Sequence, residues 1–299
     1  MLNAKQTKTR IILSFFAVYV FWGGTYLGMK FALASFPPFI MAGMRHFTAG
    51  VILSSIAYFK KETFPAFNEM RNAAIVGTLL LVGGNGLVAL AGVRVPSAVA
   101  SLIIASVPIW ISILNWIGND RKRPGIWETI ALSLGIFGIS LMAFQGQDTS
   151  QNIDLMGIGM LLIASLSWSF GSLHSRNKSM PKSSFYSVSI QMLTGGILLF
   201  ILSLSLHEAQ SVDWTSITPK ALWAMLYLIF FGSILAYTAY LWLLKQVSPT
   251  LASTNAFVNP VVALGLGWFF ANERLSTQAL LASIMIVIAV IILTFKKGK

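Results

Sequence analysis

Apolar residues run through this 299-residue chain in blocks of about 20, separated by short polar connections. At a rise of about 1.5 Å per residue, such a block forms a helix long enough to cross a hydrocarbon core about 30 Å thick. Ten blocks of this kind predict helices over residues 11–34, 38–59, 72–93, 96–117, 126–144, 155–174, 185–206, 219–244, 249–271 and 277–295. No stretch alternates polar and apolar positions as a barrel strand would. The connections leave no room for an inserted soluble domain. The first block is too long for the apolar core of a signal peptide and lacks a small-x-small cleavage site. The expected fold is therefore an all-α polytopic membrane protein with ten transmembrane helices.

Composition agrees. The chain is 56% hydrophobic and 10% charged, against about 25% charged residues in a soluble domain, and its mean hydropathy is +0.76. Lipid must cover most of such a surface. The net charge of +12 does not point to nucleic acid, because the basic residues sit between apolar blocks and alternate from one side to the other. One side receives Lys5, Lys8 and Arg10; Lys60, Lys61 and Arg71; Arg121, Lys122 and Arg123; Arg176, Lys178 and Lys182; Lys245; and Lys296, Lys297 and Lys299. The other receives only Lys30, Arg94, Lys220 and Arg274. The richer side is expected to be cytoplasmic, with both termini on it. Cysteine is absent, which excludes disulfides and Cys-based metal sites. No metal or cofactor is expected.

The polar stretch from Gln145 to Asp154 divides the chain into 1–147 and 148–299, five blocks in each half. An odd number of spans forces a duplicated unit to insert upside down relative to its twin. Internal echoes support a duplication. Trp22 and Trp168 are 146 positions apart, and the same shift sets Phe47-Thr48-Ala49-Gly50 on Leu193-Thr194-Gly195-Gly196. In the fourth span of each half the shift becomes 152, matching Pro108 with Pro260. Both prolines stand near mid-span. Proline removes a backbone hydrogen bond, so each span is expected to break there and to act as a flex point.

Polar residues inside the spans are the candidates for chemistry. Ser101 belongs to a small and polar face of the fourth span, and Asn255 and Asn259 share one face of the ninth; either face could line a cavity or pack against a neighbouring helix. Asn85 stands in Gly83-Gly84-Asn85-Gly86. Trp22 and Trp168 lie too deep for an interfacial belt, and Tyr237 and Tyr240 share a face with Ser233. Arg45 is about 10 Å from the outer boundary, placed either to snorkel to the headgroups or to serve as a carboxylate-binding or gating arginine. His46 and His174 are the candidates for carrying a proton, or for a structural role. Glu128 and Glu273 are expected to face water or headgroups. No Asp or Glu lies deep in a span, and no HExxH, Walker or G-x-S-x-G pattern occurs, so catalysis is not expected.

These stretches resemble the drug/metabolite transporter superfamily, in particular its ten-span EamA-type exporters. The resemblance is carried by WGGTYLGMKFAL and PPFIMAGMRHFTAG, by GNGLVAL with VPSAVASLIIASVPIW, and by SPTLASTNAFVNPVVALGLGWFFANERLS. The family's Gly-Glu after the ninth span is here Asn272-Glu273. The resemblance implies a bacterial inner-membrane carrier, a monomer or homodimer in the lipid bilayer, that exports small-molecule metabolites, often amino acids or related zwitterionic or aromatic compounds. A proton-coupled multidrug exporter is one alternative; a lipid-handling or scaffold protein without a solute path is another.

Overall fold

The computed structural model describes residues 4–95, 97–118, 123–143, 154–271 and 277–295. Apart from turns and one short 3₁₀ helix (Glu208–Ser211), the described residues are helical. Helices α1 (Ala4–Ala32) and α2 (Pro38–Phe59) are followed by α3 (Phe67–Gly77), a π-helical segment (Thr78–Gly86) and α4 (Leu87–Ala91), which continue one another. Then come α5 (Ser97–Ile104), α6 (Val107–Ile117) and α7 (Ile126–Ala143). The second half has α8 (Leu155–Asn177) and α9 (Ser184–Ser205), then α10 (Pro219–Tyr227), a second π-helical segment (Leu228–Ala236) and α11 (Tyr237–Gln246). It ends with α12 (Pro249–Ala252), α13 (Asn255–Ala271) and α14 (Thr277–Phe295).

Seven helical stretches among the described residues are long and apolar enough to cross a membrane: Gln6–Ala32, Pro38–Phe59, Phe67–Ala91, Leu155–Asn177, Ser184–Ser205, Pro219–Gln246 and Thr277–Phe295. They account for seven of the expected spans; at the other three the chain is helical in shorter pieces, two of them the apolar helices Leu102–Ile117 and Ile126–Leu141. Large apolar side chains, Phe16, Phe59, Trp223, Ile284 and Phe295 among them, are exposed, the inverse of a soluble surface.

The two halves are woven together. Helix α1 packs on α10, α11 and α13, which belong to the second half, while α8 packs on α3, α4, α5 and α6 of the first. The broadest interfaces join α2 to α9 and α7 to α14. The α2–α9 seam explains the matched Gly positions. A Cβ on Gly50 would lie 2.9 Å from Leu193 N, and one on Gly196 would lie 2.6 Å from Phe47 N. Only glycine lets the helices approach so closely there. Glu208 ties the same pair from above: its carboxylate accepts from Phe39 N and Ile40 N, each at 3.0 Å. These are the donors that a helix start leaves unpaired.

The proline expectation needs correction. In the fourth span the helix is interrupted at Ala105–Ser106, and Pro108 stands in the first turn of α6, where its missing N–H has no partner to lose. In the ninth the interruption falls at Ser253–Thr254, six residues ahead of Pro260, which lies inside α13. Ser, Thr and Asn chemistry makes that break: Ser253 Oγ and Thr254 Oγ1 donate back to Thr250 O (2.9 Å) and Leu251 O (2.7 Å). Such local bonds compete with the helical ladder.

Candidate functional site

A cavity of about 820 Å³, part of it open to solvent, lies where α1, α2, the two π segments, α8 and α13 converge. The π segments are central to it. A π turn widens a helix by one residue and is frequent at functional sites. Here the first supplies Gly84 and Asn85 to the wall, and the second supplies Gly232 and Ser233. The two segments are nine residues long and 150 positions apart, in the third span of each half.

Trp22 of α1 and Trp168 of α8 both line the cavity. Their rings meet edge to face at 5.6 Å, and each also packs against Tyr240, at 5.2 and 5.6 Å. Trp22 Nε1 donates to Gly232 O at 2.9 Å, so the indole is fixed to the second π segment. Trp168 Nε1 donates to the Tyr240 hydroxyl at 3.0 Å, and that hydroxyl is 2.8 Å from Ser172 Oγ. Tyr240 is fully buried and stands behind the wall, holding Trp168, rather than on the cavity surface where a ligand-binding residue is expected. Tyr237 does line the cavity, and its hydroxyl donates to Gln191 Oε1 at 2.8 Å. Gln191, buried on α9, was not a candidate from sequence because its helix carries no other sign of chemistry.

The polar groups fall on α2 and α13. Arg45 and His46 reach the cavity from α2. Arg45 is only 5% exposed, so it does not snorkel. Its Nε donates to Ser233 Oγ at 2.7 Å, and His46 Nδ1 lies 3.5 Å from the same oxygen. His46 Nε2 is buried with no hydrogen-bond partner among the described residues. Asn255 and Asn259 both line the cavity. The surrounding acceptors orient the Asn255 amide so that its nitrogen donates to Ala252 O (3.2 Å) and Ser253 O (3.3 Å), closing the break before α13. Asn259 Oδ1 is buried with no partner among the described residues. Pro260 cannot donate to the carbonyl one turn back, that of the cavity residue Ala256.

The remaining candidates lie elsewhere. His174 is on α8 one turn and more beyond Trp168 and does not line the cavity; its Nε2 too is buried without a partner among the described residues. The Ser101 side chain and Glu273 lie outside the described residues. Glu128 does not face water alone: its Oε1 accepts from Ser112 Oγ at 2.7 Å and from Thr250 Oγ1 at 3.1 Å, joining α7 to α6 and α12. On the side of the cavity toward the start of α1, the Tyr19 hydroxyl is 2.7 Å from Thr254 Oγ1. Among the described residues no group of His, Asp and Glu is arranged to hold a metal ion.

Comparison with known proteins agrees with this architecture. The model of the EamA-like transporter family matches twice, over residues 9–144 and 155–295. The inner membrane transporter YedA of Escherichia coli strain K12 is 36% identical over 284 residues, which cover 94% of this chain and 90% of YedA. The transporter YoaV of Bacillus subtilis strain 168 is 23% identical over 96% of this chain and 97% of its own length. A crystal structure only 15% identical superposes with a TM-score of 0.76 over 95% of this chain and 96% of that one, and so shares its fold. The chain is a multi-pass membrane protein and belongs to the EamA-like transporter family.

Proposed function

We propose that the protein is a secondary transporter of the inner membrane that exports small zwitterionic or aromatic metabolites, amino acids foremost, by alternating access. The carrying observation is the cavity: aromatic faces, an arginine and asparagines converge in the middle of an apolar helical bundle, where polar groups are costly unless used. Ten spans, as two inverted halves of residues 1–147 and 148–299, frame it. Reciprocal contacts support that symmetry. At the shift of 146, Gly50 corresponds to Gly196 and Phe47 to Leu193; Gly50 meets Leu193 while Gly196 meets Phe47. Trp22 and Trp168 correspond and touch each other, as two residues do only near a two-fold axis. The basic residues put both termini in the cytoplasm. On that topology the cavity, running from Trp22 toward Met29 along α1, faces outward, and the Tyr19–Thr254 contact closes the cytoplasmic side.

The test is flux. Purified protein in vesicles should exchange labelled amino acids, and Asn259→Ala at matched protein level should reduce the rate at least severalfold. Unchanged transport of every accepted solute in Asn259→Ala would remove Asn259 from the path. No flux of any solute by the unmodified chain would favour a scaffold role.

A further inference from the structure

We infer that Arg45 is the carboxylate-recognising residue of the cavity, so that its substrates are organic acids carrying an apolar or aromatic body, with the α-amino acids as the fitting case. The inference rests on the transporter reading and names the chemistry of its site. A guanidinium carries five N–H donors in a planar fork. In Arg45 one of them, on Nε, is used by Ser233, and this is the only hydrogen bond it makes among the described residues. The fork lies against the second π segment at Gly232, where a Cβ would come within 2.9 Å of Nη2; glycine at that position is what leaves room for it.

Among the described residues no carboxylate answers this cation. Among the described residues the one ion pair joins Arg94 to Asp154, outside the cavity. The acidic residues among those described, Glu62, Glu69, Glu128, Asp154, Glu208 and Asp213, stand in connections or near the ends of helices. A buried charge without a partner is costly, and more so in an apolar bundle. Here the missing partner is the cargo. A planar guanidinium matches a carboxylate with two parallel N–H bonds, which an ammonium could not supply.

The surroundings complete the outline of a ligand. Ser233 Oγ accepts from Arg45 Nε, so its own hydrogen is free to point to His46 Nδ1, 3.5 Å away. That leaves the proton of a neutral His46 on Nε2, a donor without a partner among the described residues. Asn259 Oδ1, also buried and unpartnered, offers an acceptor for an ammonium. Trp22 and Trp168 give ring faces for the apolar body. An organic cation with no acid group would meet the guanidinium uncompensated, so the same arrangement works against amine drugs.

The probes are four matched compounds: phenylalanine, 3-phenylpropionate, phenethylamine and phenylalaninamide. Binding is read as thermal stabilisation of the purified full chain, and transport as competition with labelled phenylalanine in vesicles. Phenylalanine and 3-phenylpropionate should bind at least tenfold more tightly than the two compounds lacking a carboxylate. Arg45→Gln should abolish that preference, and Arg45→Lys should restore part of it, since the charge returns without the fork. Ser233→Ala should weaken the acids by a smaller factor, and with the probe series on the unmodified chain it decides the matter if Arg45→Gln does not fold. Equal or tighter binding of the amine or amide, or no binding by any of the four, overturns the inference. Flux of other solutes would then leave the transporter reading standing; binding of the acids with no flux of any solute would sink the transporter reading and leave the assignment of Arg45.

Discussion

Substituting Gly84 by alanine tests how the aromatic wall is held. A Cβ at Gly84 would lie 2.8 Å from Trp168 Cε3, with Cζ3 at 3.5 Å, whereas carbon atoms rest about 3.5–4.0 Å apart. The indole must therefore move by about 0.7 Å to reach that range. It is not free to do so. Its Nε1 is bonded to Tyr240, which is itself held by Ser172, and the Trp22 ring stands on another side. Overpacking of this kind costs about 1–3 kcal/mol, and straining the Nε1 bond adds up to about 1 kcal/mol. Alanine returns about 1 kcal/mol as a better helix former than glycine. The net expectation is a loss of about 1.5 kcal/mol, within a range of about 0–3 kcal/mol, read as a melting temperature lower by a few degrees, together with slower transport because the displaced ring enters the cavity. Trp168→Phe provides the check. The smaller ring relieves the clash, so Gly84→Ala should be less damaging in that background, with a favourable coupling of about 1 kcal/mol in the double-mutant cycle. Gly159→Ala, where nothing lies within 4 Å of the added Cβ, should stabilise slightly. Strict additivity of Gly84→Ala and Trp168→Phe would refute the packing argument.

Two further expectations concern the helix starts. Glu208→Gln leaves a weaker acceptor at Phe39 N and Ile40 N and should cost about 0.5–2 kcal/mol, the usual value of an N-terminal cap; an unchanged melting temperature would show that the clasp between Glu208 and α2 contributes nothing. Asp154 caps α8 and is held below the usual carboxylate range, first by the backbone bond from Gly157 and then by Arg94. A depressed folded-state pKa means that the stabilisation is present above the unfolded carboxylate value and disappears as pH falls through the folded one. The stability difference between the unmodified chain and Asp154→Asn, measured by melting from pH 7 down to pH 3, should therefore shrink toward acid; a constant difference would contradict the linkage.

The helices were legible from hydrophobic block length alone, because lipid demands long apolar runs. The close seams were legible in part: Gly50 and Gly196 could be matched, but that each abuts the other's neighbour required coordinates. The π segments had no clear signal. Gly83-Gly84-Asn85-Gly86 drew attention to the first, while Phe231-Gly232-Ser233 in the second reads as ordinary helix. Their separation of 150 falls between the shifts of 146 and 152 read from the sequence. Proline misled in the ninth span, since local Ser and Thr bonds, not Pro260, interrupt the helix. The cavity residues were found mostly as polar exceptions in apolar spans. Such reasoning could not separate Tyr237, on the wall, from Tyr240, behind it, three residues along the same helix, nor show that Arg45 points inward rather than to the headgroups.

Side-specific access to the cavity tests the transport account most directly. The chain has no cysteine, so Val88→Cys, at a cavity-lining position, carries a single thiol. A membrane-impermeant maleimide should label it from the outside in right-side-out vesicles and from the cytoplasmic side in inverted ones, and phenylalanine should slow both reactions. Labelling from one face only, whatever solute is present, would contradict alternating access.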